Sequence, residues 1–385
     1  MMMKAIVSLQ AAELKPFTQK NFPELHAKQQ SSLSNAVAGV IESNSLMVTK
    51  IGEGLAKLKG LKSKHAIKQV DRLLSNDNFD PIFMQNRLAT FLIKNRSRIY
   101  VAIDWTVFAK DSQMTICLRL ITKHGRATPL LWQTVSTVGL KGKKNNYVFE
   151  ILERLRILVP KSCDVVLLGD REFGTLNMFE KVHKTLGFNY ILRIKRNFTV
   201  TTKDGKKCLA HECINGEETI CHDDAKLTVQ DYKIEKVIIS KQPKMKDMWC
   251  LASSLKNIAT QTILNLYGKR WGIETSFRDE KDLQFGLGLK KSRIKTCSRR
   301  DRIFVISAIA IIFLTLLGAA SEKSGYDRYL KANTEKKRTH SLLNQGKTIF
   351  SIYKKLEIGW MQRIYQALTD ISSCLHIDHA EPFVI

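Results

Sequence analysis

Acid is what this chain has too little of: 36 Asp and Glu stand against 62 Lys and Arg, a formal charge of +26 over 385 residues. That deficit favours a polyanionic partner, because phosphates release counterions when cations neutralise them; ribosomal, nuclease and anionic-membrane partners all fit it. The eight cysteines form no repeating framework and include no C-x-x-C pair, which argues against a disulfide scaffold and for reduced thiols in a cytosolic protein. One cluster, Cys208, His211, Cys213, Cys221 and His222, has side chains zinc would accept but lacks the paired spacing, and reads as incidental to a loop-rich region. No internal repeat or low-complexity tract is present. Long apolar runs are missing except at residues 303–320, which just reach the length of a marginal membrane span. Ser307, Thr315 and Gly318 interrupt that run and basic, water-soluble segments flank it, so a buried helix is expected there and no membrane partner. The opening run MMMKAIVSLQAAELK meets Glu13 and Lys15 too soon for a secretory signal.

What is present falls into two textures. From residue 31 to about 93, apolar residues recur three and four apart in SSLSNAVAGVIES, LMVTKIGEGLAKL and SKHAIKQVDRLLSN, a helical pattern. The second and third segments, separated by KGLK, outline a helix-turn-helix with Ser63 as N-cap. Its second helix offers Lys64, His65, Lys68 and Arg72 to base edges and phosphates, although any small basic helical domain would look similar. After Arg98 the pattern turns β-branched and alternating. Three strands in succession are followed by a helix, the apolar strand CDVVLLGDREFG, a second helix and a fifth strand, FNYILRIKRN. The order βββαβαβ with a later helix predicts an α/β, ribonuclease H-like core, a mixed five-stranded sheet with flanking helices. The domains expected are a helical DNA-binding domain (1–97), the first part of the core (98–198), a β-rich insertion (199–255), the second part of the core (256–320) and a C-terminal helical region suited to dimerisation (321–385).

Asp104 and Asp170 each follow an apolar strand run and are predicted at strand ends, at the mouth of the sheet. A turn residue and a helix N-cap are the ordinary alternatives for the two. If the strands neighbour each other, the two carboxylates repel, and such a pair usually signals a divalent cation. In YGKRWGIETSFRDEK (267–281), Tyr267, Arg270, Glu274 and Lys281 fall at about 0°, 300°, 340° and 320° on one helix, a single narrow stripe. A solvated face of weak ion pairs is the ordinary reading of such a stripe. With two aspartates in fold order and a basic chain, Glu274 instead supplies the third carboxylate of a site for two Mg²⁺ ions, while Tyr267, Arg270 and Lys281 grip phosphates beside it.

These residues resemble bacterial DDE transposases of the insertion-sequence-four family, whose signature Tyr-x2-Arg-x3-Glu-x6-Lys is met by Tyr267, Arg270, Glu274 and Lys281, with IDWT around Asp104 and LLGDREFG around Asp170 in support. The resemblance implies cut-and-paste transposition by end hydrolysis, hairpin formation, hairpin opening and strand transfer. Asp104, Asp170 and Glu274 would be catalytic metal ligands for Mg²⁺, with Mn²⁺ as substitute. Trp249 resembles a tryptophan that holds a flipped base at the hairpin; an ordinary core aromatic is the other reading. Double-stranded DNA, as terminal inverted repeats and target, is the implied partner, bound by a homodimer in a synaptic complex in the bacterial cytoplasm at the nucleoid. A nuclease of the same fold and a non-catalytic repressor descended from a transposase are the competing readings.

Overall fold

A computed structural model describes residues 14, 16, 18–216, 218–243 and 245–374. The expectation for the opening run lies outside the described residues, apart from Leu14.

After the helical residues 18–21, four helices precede the sheet among the described residues: α1 (Ala27–Ser43), α2 (Val48–Lys59), α3 (Ser63–Leu74) and α4 (Pro81–Ile93). They form because each carries an apolar stripe, and they pack closely because glycines stand where they cross. A Cβ on Gly52 would lie 2.5 Å from the Ile67 Cα, and one on Gly39 2.5 Å from the Ile51 carbonyl oxygen. Gly60, at φ +66, closes α2 in the left-handed conformation that glycine adopts without steric cost. Ser63 is not an N-cap. Lys62 holds that position with no side-chain bond, and Ser63 is already the first helical residue.

The next strands are β1 (Arg98–Phe108), β2 (Gln113–Ile121), β3 (Ala127–Ser136), β4 (Asp164–Gly169) and β5 (Asn189–Arg193), with helix α5 (Lys144–Leu158) before β4 and a short helix α6 (Leu176–Phe179), extended by a π turn, after it. β1, β2 and β3 form an antiparallel meander, while β4 and β5 run parallel to β1. β2 is buried along its whole length, as a strand covered on both faces must be.

The sheet departs from the expected five strands: it has ten, in the order β3-β2-β1-β4-β5-β10-β9-β8-β6-β7. The inserted strands are β6 (Thr199–Thr201), β7 (Lys207–Leu209), β8 (Thr219–Leu227), β9 (Tyr232–Ser240) and β10 (Trp249–Ser253). They do not stand apart, because β10 pairs antiparallel with the free edge of β5, Leu251 opposite Arg193. An unpaired edge is a row of unmet donors and acceptors, and the insertion covers it.

Helix α7 (Thr260–Gly268) then leads into α8 (Gly272–Lys281). The long apolar run forms α9 (Cys297–Lys323), which is buried against protein: against the helix α10 (Leu342–Ile352), β3, α1 and the helix α11 (Ile358–Cys374). Gly318 and Gly346 make the α9–α10 crossing possible. A Cβ on the first would fall on the Leu342 carbonyl oxygen, and one on the second on that of Leu314.

Candidate active site

Register places the aspartates. Ile103 of β1 pairs with Gly169, the last residue of β4, so Asp104 and Asp170 are the next positions on two adjacent parallel strands. Asp104 does not end its strand as expected. β1 continues four residues further against β2, and what ends at Ile103 is the pairing with β4. Asp104 Oδ1 accepts from the Trp105 N–H at 2.8 Å, so it is not a turn residue. Asp170 caps no helix either. It forms a turn, accepting from the Glu172 N–H at 2.8 Å, and Thr175 caps α6. Gly174 presses that loop against β5, where a Cβ would meet the Arg193 carbonyl oxygen.

The third carboxylate arrives from α8. Tyr267, Arg270, Glu274 and Lys281 do not lie on one unbroken α-helix: Tyr267 lies in the last turn of α7, Lys269–Trp271 form a 3-10 turn, and Glu274 sits in the first turn of α8. The buried Arg270 spans the centre, its Nη2 3.0 Å from Glu274 Oε1 and its Nη1 4.0 Å from Asp104 Oδ2. Asp104 is pushed up to about 6, first by burial, then by the charge of Asp170, with Glu274 adding less; Arg270 opposes them. Asp104 therefore senses both of the other acids across a small space. The three do not close into a metal-ligating group among the described residues, since a guanidinium lies between two of them. A divalent ion fits the donor chemistry, because the crowding that raises the affinity of Asp104 for a proton equally favours another cation there.

Around the acids the expected contacts divide. Trp249, at the start of β10, packs edge-to-face on Tyr267 with ring centroids 4.9 Å apart, and the Arg270 guanidinium lies 5.8 Å from the Tyr267 ring. Lys281 reaches β1, donating to Thr106 Oγ1 at 2.9 Å and the Val107 carbonyl at 3.2 Å; burial, then Lys290, hold its pKa down. Lys64, His65, Lys68 and Arg72 are all exposed on α3, away from the acids in sequence and on a different element.

Sequence reasoning overlooked three things. Trp271, half exposed beside the buried Arg270 and 5.4 Å from its guanidinium, offers a free aromatic face next to Glu274. An aromatic directly after the signature arginine was the available signal. The other acids of α8 are structural: Glu280 pairs with the buried Arg119 at 2.5 Å, and Asp279 with Arg126 at 2.7 Å, binding α8 to β2 and the β2–β3 turn. Arg171, Arg193, Lys195, Arg196 and His211 line a cleft of about 480 Å³ at the end of β5, the strand next to β4, which leads into Asp170.

The Cys/His cluster does not assemble as a metal site. Cys208 and Cys213 are joined as a disulfide, against the expectation of reduced thiols, because β7 and the following turn bring their Cα atoms to 6.1 Å. His211 Nδ1 lies 2.9 Å from the Arg196 carbonyl oxygen.

Residues 130–313, a little under half of the chain, match the family model of the transposase DDE domain. That match supports a transposase acting on DNA. It covers Asp170 and Glu274 and leaves Asp104, on β1, outside. DDE transposases in general use divalent metal ions. No curated protein matches the chain.

Proposed function

We propose that the protein is a DNA transposase of the insertion-sequence-four type, similar among these to the transposase of the Tn-ten element, and that it cuts and joins DNA at Asp104, Asp170 and Glu274. One observation carries the reading: two carboxylates at matching positions just past the last pair of two adjacent parallel strands, faced by a third from a helix, with a buried arginine between that third and Asp104. Two Mg²⁺ ions bound there would activate the attacking oxygen and stabilise the leaving one.

The chain's own residues supply positioning. Arg270 holds Glu274 and lies beside Asp104, where its guanidinium would grip a phosphate brought to those acids. Lys281, fixed by Thr106 and Val107, sets a second cation beyond Asp104. Tyr267 and Trp249 back the centre, and the exposed Trp271 is a stacking face for a base drawn out of the duplex at the hairpin step. The exposed cations of α3 would read the terminal inverted repeats, and a homodimer would hold two ends in a synaptic complex.

The test is a denaturing gel of labelled DNA bearing the sequences that flank the gene, with Mg²⁺, comparing the wild type with Glu274→Gln. Hairpin-ended and joined products in the wild type alone support the reading. Cut but never joined DNA identifies a nuclease, and bound, uncut DNA in both lanes identifies a repressor; either outcome overturns the transposase.

A further inference from the structure

On the opposite flank of the acids from the β5 cleft lies a second basic one, of about 570 Å³, between the β1–β2 turn and the segment before α9. Lys110 forms one wall; Lys290, Lys291, Arg293 and Lys295 form the other. We propose that this cleft is a sequence-independent clamp for the DNA backbone between the segment read by α3 and the phosphate at the active site. The inference rests on the transposase reading above.

Burial shows a built row of cations. Lys291, Arg293 and Lys295 are exposed while Ser292 and Ile294 between them are buried, so the three project to one side. None of the five cations forms an ion pair with a described residue. The one acid in the wall, Asp111, is already taken by the buried Arg300 at 2.6 Å and cannot neutralise them.

The row is also anchored at both ends. Toward the acids, Lys290 is close enough to depress the pKa of Lys281, which is itself bound to β1 just past Asp104. Toward the N-terminal helices, Ser292 Oγ donates to the Leu46 carbonyl at 2.7 Å, and the Leu46 N–H donates to the Leu287 carbonyl at 2.7 Å. Beyond Lys295, Arg299 binds Asp71 and Ser75 at the end of α3. Cations therefore run from α3 to Lys281 along a frame fixed to both elements. Four of the five are lysines, point charges suited to phosphates and poor at distinguishing bases, which suits a stretch where charge is needed and sequence is not.

The experiment measures affinity of the full-length protein for a labelled duplex of unrelated sequence and for the flanking-sequence duplex, by anisotropy, from low to moderate salt. The variants are Lys291→Ala/Arg293→Ala/Lys295→Ala and the charge-keeping Lys291→Arg/Arg293→Lys/Lys295→Arg. The alanine variant should lose about 2.7 from the slope of log affinity against log salt, at ~0.9 per phosphate contact, equally on both duplexes. The charge-keeping variant should retain the wild-type slope, which separates lost charge from misfolding. An unchanged slope in the alanine variant overturns the clamp, even if wild-type protein cuts DNA normally. So does a loss confined to one duplex, which means base reading. Failure of the transposase reading shows separately, as uncut DNA with the slope change intact.

Discussion

Three acids within seven residues of α8 have opposite fates, and single substitutions should separate them. Glu280 is fully buried against Arg119, so Glu280→Gln strands a guanidinium and should cost about 3–5 kcal/mol in denaturant unfolding. Glu274 is partly exposed and held by one arginine; Glu274→Gln should leave the unfolding midpoint nearly unchanged while removing DNA cleavage. Equal destabilisation by both would sink the distinction. A second residue-scale prediction concerns Asp301, which burial pushes up to about 7, against the Thr134 N–H it binds at 3.0 Å and the nearby Arg154 and Arg300. Its folded pKa lies above the ordinary value of 3.8, so the native state binds the proton more tightly, and this carboxyl withdraws stability as pH rises between the two values. Melting of Asp301→Asn against the wild type should show the variant gaining steadily from about pH 4 to pH 7 and by a constant amount above. A difference independent of pH would refute the protonation.

Between elements, contacts are set by the absence of side chains. Gly318 and Gly346 let α9 and α10 touch backbone to backbone, and no rotamer change can relieve a Cβ that lands on a carbonyl oxygen. Gly346→Val should therefore cost at least as much as ordinary overpacking, about 1–3 kcal/mol, read from the urea midpoint. An unchanged midpoint would mean the helices are free to part. Elements were also where the sequence was most and least legible. The order βββαβαβ could be read because each strand is a dense β-branched run, and the acids after YVAI and DVVLLG could be placed because apolar runs mark where strands pair. The pairing of β10 with β5 could not, since a strand's partner is chosen by which edge is left open, a property of the whole sheet. The 3-10 turn at Lys269–Trp271 was equally hidden, because a helix read at fixed angle conceals a local tightening.

Across the whole molecule, α9 ties the expected N-terminal domain to the core. Arg302, buried, donates to the Leu74 carbonyl at 3.1 Å and the Phe79 carbonyl at 3.0 Å, and the Gln85 side chain accepts from the Trp132 N–H of β3 at 3.0 Å. Residues 1–97 should consequently not melt on their own. Calorimetry of the full chain should show one transition, which Arg302→Ala shifts down without splitting; two transitions in the wild type would show an independent domain.

The insertion has a consequence of another kind. The chain leaves the core at Arg193 and returns at Leu251, directly opposite, so everything between is a detour with nearly coincident ends. Strands can be gained or shed along that outer margin in hairpin steps without shifting Asp104, Asp170 or the helix that brings Glu274. The geometry of the three acids and the breadth of the sheet are thus separately heritable, and lineages can change the outer strands while leaving the carboxylates where they are.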